Sequence, residues 1–135
     1  MIHLDTCVLV DALTGPGRSA PGLRALIEDG ERISLSTLVL YEWLRGPRRP
    51  EELRVQEALF PAGDAAPFGR PEAALAAELY RLVGRPRGRE IDLAIAATAI
   101  LHDAALWTLN PRDFADIPRL RLAQPRTEHL LLKLL

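Results

Sequence analysis

The stretch that begins at Glu90 most constrains what this chain can fold into. From Glu90 to Ala104 it reads as one helix. After Asp92 that helix is apolar nearly all round, through Leu93-Ala94-Ile95-Ala96-Ala97-Thr98-Ala99-Ile100-Leu101. A helix without a polar face must be covered on every side, so it belongs in the middle of a fold. It falls well short of the roughly 20 apolar residues that a bilayer span needs. Its cover must therefore come from the rest of a chain of 135 residues, enough for one domain with a proper core.

Short apolar runs bounded by turn residues supply that cover. Ile2–Leu4, Ile33–Leu35 and Leu106–Leu109 read as strands. Val8–Leu13 reads as a helix stopped by Gly15-Pro16-Gly17, and Leu23, Leu26 and Ile27 line one face of another that Gly30 ends. Ser36 or Thr37 caps a helix running to Gly46-Pro47. A weaker helix is expected over Pro50–Phe60 and a strong one over Pro71–Val83, followed by the loop Gly84–Gly88. Ala65–Phe68 reads as a short strand that its proline confines to an edge, and Arg121–Ala123 as a final one. Strands alternating with helices point to an α/β fold: a central parallel sheet of about four to five short strands flanked by helices on both faces. No linker or repeat divides the chain, so residues 1–135 form a single domain.

Composition removes several classes of function. Hydrophobic residues make up 48% and charged residues 26%, as in ordinary globular chains. A net charge of −1 argues against a generic basic nucleic-acid binder. No leader segment is expected, because Asp5 and Asp11 break the first apolar stretch and no basic segment precedes it. A single cysteine, Cys7, excludes an internal disulfide, agrees with a reducing cytoplasm and reads as a small core residue. His3, His102 and His129 lack zinc-ligand spacing.

Four acids stand out against this background. Asp5 follows the first strand, Glu42 interrupts Leu38-Val39-Leu40-Tyr41, Asp92 heads the apolar helix, and Asp113 lies just beyond Ala104-Ala105-Leu106-Trp107. Carboxylates are rarely buried without a partner. Three have local explanations. Asp5 can cap the next helix, Asp92 can complement a helix dipole, and Asn110-Pro111-Arg112-Asp113 has the form of a capping box. Glu42 has only Arg45 at i+3. In open α/β sheets ligands bind outside the carboxyl ends of the strands, where Asp5 and Asp113 both emerge. All four acids can converge there on one cation, and a shared cation suggests phosphodiester chemistry. Arg45, Arg48 and Arg49 follow Glu42 closely, while Arg85, Arg87 and Arg89 precede Asp92. Their planar forks suit phosphate oxygens.

The blocks Leu4-Asp5-Thr6-Cys7-Val8-Leu9-Val10-Asp11, Ser36-Thr37-Leu38-Val39-Leu40-Tyr41-Glu42, Asp92-Leu93-Ala94-Ile95-Ala96-Ala97-Thr98-Ala99 and Thr108-Leu109-Asn110-Pro111-Arg112-Asp113-Phe114 carry a resemblance. In order and spacing they resemble PIN-domain ribonucleases, and within that group the VapC-type toxins of bacterial toxin–antitoxin pairs. The resemblance spans essentially the whole chain. It implies a metal-dependent endoribonuclease whose functional residues fall on Asp5, Glu42, Asp92 and Asp113. Thr6 matches a small polar position beside the first acid. Asn110 stands where many relatives carry a further polar or acidic residue. Also implied are a structured RNA substrate such as a tRNA loop, translation arrest, a homodimer and a cognate antitoxin.

Carboxylate oxygens suit Mg²⁺ or Mn²⁺, as one ion or two, held by Asp5, Asp92 and Asp113, with Glu42 a ligand directly or through water. Two competing readings remain at this point. A catalytically silent RNA-binding scaffold is opposed by the complete acid set. A receiver-like phosphoacceptor domain would want an acid ending a middle strand, whereas Glu42 and Asp92 both read as helical.

Overall fold

β1 (Ile2–Leu4) is the middle strand of a parallel sheet ordered β2–β1–β3, with β2 at Ile33–Ser34 and β3 at Ala105–Trp107. The structure is a computed structural model that describes residues 1–125. The leucine-rich run at 130–135, the candidate for an interface or a docked terminus, lies outside the described residues, as does His129. Helices fill the connections: α1 (Thr6–Leu13), α2 (Ala20–Glu28), α3 (Thr37–Arg45), α4 (Pro50–Leu59), α5 (Arg70–Leu82) and α6 (Glu90–Leu101). No helix of the described residues is long and apolar enough to cross a membrane.

The register fixes which side chains share a face. His3 pairs with Leu106 and Leu4 with Trp107. Successive strand residues point to opposite sides, so His3 and Leu106 face one layer while Leu4 and Trp107 face the other. Every residue of β1 is buried, which requires cover on both sides. On the first side lies His102, the C-cap of α6, whose ring centroid is 5.7 Å from that of His3. On the second, α2 packs so closely on Trp107 that a Cβ at Gly22 would come within 3.3 Å of the indole. A larger residue there would need the indole to give by a few tenths of an ångström.

The expected four to five strands are corrected to three. The two outer segments each shrink to a single backbone bridge, Ala66 beside Ser36 and Leu122 beside Leu106. Ala66 donates to the Leu35 carbonyl at 2.8 Å and accepts from Thr37 at 2.8 Å. The next donor that could extend the ladder, the Phe68 N–H, goes instead to the Thr37 hydroxyl at 3.2 Å. On the other edge Leu106 exchanges one such pair with Arg121 and Ala123. Pairing therefore reaches both edges, but only one residue deep.

α6 is the central helix that its sequence demands. Leu93 through Ala99 are all buried, and the alanines at 94, 96, 97 and 99 leave room for close neighbours. It ends at Leu101 instead of Ala104, because Asp103 takes the left-handed conformation (φ 51°) that glycine usually supplies after a helix. Ala104 then donates back to the Ala99 carbonyl at 2.9 Å, and β3 starts at Ala105, one residue early.

Candidate active site

β1 and β3 run parallel, so the residues that follow them emerge on one rim. Asp5 is 7% exposed and caps α1, one carboxylate oxygen accepting from the Thr6 N–H at 2.9 Å. The local explanation for this acid thus holds for half of its carboxylate. The other oxygen accepts from the Thr108 hydroxyl at 2.8 Å, with the Cys7 thiol at 3.4 Å. Thr108 follows β3 just as Asp5 follows β1. It was not singled out from the sequence, although a small polar residue at the end of an apolar strand was a usable signal. Cys7 is half-buried beside these groups rather than deep in the core. Burial and then the Asp5 carboxylate push its thiol pKa up, leaving it a weak nucleophile.

α3 brings Glu42 to the same place. Its Oε1 accepts from the Thr6 hydroxyl at 2.6 Å, and Arg45 lies 3.3 Å from its Oε2. Thr6 thereby ties the first acid to the second: its backbone serves Asp5 and its side chain serves Glu42. Ser36 caps α3 by accepting from the Val39 N–H at 3.1 Å, which fixes the helix that carries Glu42.

Asp92 sits in the first turn of α6, and Asp113 ends a 3₁₀ turn over Pro111–Asp113. The capping-box explanation for Asp113 does not hold, since Asn110 makes no side-chain cap hydrogen bond. Asn110 is exposed, and its backbone donates to the Thr108 hydroxyl at 3.1 Å. Arg89 joins the two acidic segments. It forks onto both oxygens of Asp116, at 2.9 and 2.6 Å, and donates to the Asp113 carbonyl at 2.8 Å. Each partner strengthens the other's charge, holding Arg89 above its usual range and Asp116 below its own. Nothing in the sequence distinguished Asp116.

The electrostatics group the acids. Burial, followed by the carboxylates of Asp5, Glu42 and Asp113, pushes the Asp92 pKa up to about 6, and Arg89 only partly opposes this. Of the remaining arginines, Arg48 stacks on Trp43 with its guanidinium 4.2 Å from the ring centroid. Arg45, Arg49, Arg85 and Arg87 are exposed, and of these only Arg45 is seen in contact with one of the four acids.

The four acids offer oxygen ligands of the kind that suit a hard divalent cation, and one of them, Asp92, is driven toward neutrality by burial and then by the others. Among the described residues no three His, Cys, Asp or Glu side chains are grouped closely enough to hold a metal ion as they stand. A cavity of about 1060 Å³ lies elsewhere, against α2 and the start of β1, and includes none of the four acids.

The PIN domain family matches residues 2–120. Over 120 residues the chain is 39% identical to Ribonuclease VapC19 of Mycobacterium tuberculosis, covering 87% of this chain and 95% of that protein. Its fold is similar to VapBC2 from Rickettsia felis bound to a DNA fragment from the promoter, with a TM-score of 0.74 and 27% identity, covering 91% of this chain and 98% of that one. It is also similar to a toxin–antitoxin complex from Klebsiella pneumoniae, with a TM-score of 0.71 and 25% identity, covering 93% and 98%.

Proposed function

The chain belongs to the PIN-domain family, and on that footing we propose that it is a Mg²⁺- or Mn²⁺-dependent endoribonuclease, the toxin of a toxin–antitoxin pair. One observation carries the catalytic reading. Burial first, and then the carboxylates of Asp5, Glu42 and Asp113, raise the proton affinity of Asp92, which supports reading the four acids as one group. A cation held by Asp5, Asp92 and Asp113 would neutralise phosphate charge and acidify water. The chain's own residues do the rest.

Thr108 and the Thr6 N–H fix the Asp5 carboxylate, so its orientation is set before any ligand arrives. Thr6 holds Glu42 with one oxygen accepting and the other toward Arg45, which suits it to take the proton of the attacking water. Attack is in line. The water oxygen bonds to phosphorus, the bond to the departing ribose oxygen breaks, and that oxygen is protonated from solvent. Arg45, Arg49 and Arg87 are available to meet flanking phosphates.

The substrate class is a loop of structured RNA, such as that of a tRNA, where unstacked nucleotides can be reached; its cleavage would arrest translation. The protein works in the cytoplasm as a homodimer, held in check by a cognate antitoxin, and 1–135 is one nuclease domain. RNA ends sequenced after induced expression test this reading. Cuts present with wild type and absent with Asp5→Asn are expected. Identical end profiles would reject the nuclease and favour a binding scaffold.

A further inference from the structure

We propose that the Arg89–Asp116 pair positions the cleft, holding the turn that carries Asp113 against the start of α6. The inference rests on the metal-binding reading above. By position in sequence Arg89 suggested a phosphate contact, yet its fork is already engaged. Both carboxylate oxygens of Asp116 accept from it, at 2.9 and 2.6 Å, while the Asp113 carbonyl accepts from Nη2 at 2.8 Å and the Arg85 carbonyl from Nη1 at 3.3 Å. Arg89 is the residue from which α6 departs, three positions before Asp92. One side chain thus ties the helix bearing one acid to the turn bearing another.

Besides its own backbone hydrogen bonds, that turn is anchored from the far side, by Phe114 and Ile117 in the core, and Arg89 adds the tie toward α6. Pro111, Arg112 and Asp113 are all exposed, and only Phe114 and Ile117 beyond them are buried. The geometry also explains why Arg89, near Asp92 and Asp113, offsets their charge only in part. Asp116 holds the guanidinium on the flank. Without it, the fork could swing onto Asp92 or Asp113 and occupy the place of a cation. Loss of Asp116 therefore harms the cleft twice in one direction: the turn loosens, and a competing cation is released.

The test compares the full chain as wild type, Asp116→Asn and Asp116→Glu, using two readouts. Free Mn²⁺ is followed by electron paramagnetic resonance during titration, and amide exchange is measured without metal over residues 111–117. Partners that orient metal ligands typically contribute 10- to 100-fold in affinity. For Asp116→Asn, about tenfold weaker Mn²⁺ binding is expected, together with faster exchange over 111–117 and unchanged exchange over α5. Asp116→Glu keeps the pair and should stay within about threefold of wild type in both, by the scale of RT ln K. Faster exchange with unaltered Mn²⁺ binding would make the pair merely structural and overturn the proposal, as would no change in either. A wild type that takes up no Mn²⁺ would instead reject the metal reading itself.

Discussion

The two ends of the central sheet solve the problem of buried ionisable groups in opposite ways. At the carboxyl end, Asp5, Glu42, Asp92 and Asp113 keep company with like charges, and Asp92 holds its proton up to about pH 6. Toward the other end, His3 is 2% exposed, and neither ring nitrogen has a hydrogen-bond partner among the described residues. Burial, then His102 and the N-terminal ammonium, lower its pKa to about 4. Both ends therefore suppress charge. The difference lies in what would restore it. The acid end is the one that a cation would relieve on the proposed function, whereas the histidine end is at rest as a neutral imidazole in the core. A functional site and a packing compromise can share the same signature, a displaced pKa. Surroundings separate them.

Exchanging one residue at each end should break the comparison if it is mistaken. Asp5→Asn is expected to lower the initial rate on a fluorogenic RNA by on the order of 100- to 1000-fold, about 3–4 kcal/mol of transition-state stabilisation. His3→Leu should leave that rate within about threefold, less than 1 kcal/mol on the same scale. Comparable losses at both positions would erase the distinction.

A smaller effect separates the two ends by pH. Unfolded aspartate titrates near 3.9, so between there and about 6 the folded chain retains a proton on Asp92 that the unfolded chain has lost. Stability from this group falls as pH rises through that window. His3 runs the other way: it is neutral in the fold down to about 4 and charged in the unfolded chain below 6.5, so its contribution is lost as pH falls. Without metal, Asp92→Asn should stabilise the protein at pH 7.5 by on the order of 1 kcal/mol after solvent screening, about 3–5 °C in Tm. Of similar size, His3→Leu should stabilise the protein more at pH 5 than at pH 7.5, by on the order of 1 kcal/mol. Scanning fluorimetry across pH 4–8 reads both, and parallel curves for all three proteins would contradict the assignments.

Much of this was legible in the sequence because it is local. The apolar run from Leu93 to Leu101 announced a central helix, and the acids stood out at the edges of apolar segments. What escaped notice depends on contacts between distant segments. Thr108 reaches Asp5 across 103 positions, and Thr6 reaches Glu42 across 36. Asp116 looked like one more surface acid until Arg89 was seen to grip it. The end of α6 was misplaced for a different reason: Asp103 performs a glycine's task, and side-chain identity gives little warning of a positive φ. Strand number was overestimated because apolar character at Ala65–Phe68 and Arg121–Ala123 does not reveal that pairing stops after one bridge.

The central claim is that the four acids form one cation-binding cleft, and a melting curve against Mn²⁺ concentration tests it most directly. An ion that binds only the folded state must raise Tm, by about 2.7 kcal/mol of added stability at 100 times its Kd. Wild type at pH 7.5 should show a saturable rise that weakens below pH 6, as Asp92 takes up its proton. Asp92→Asn should begin from a higher metal-free Tm and lose most of that rise. An equal Mn²⁺ response in wild type and Asp92→Asn would contradict the claim.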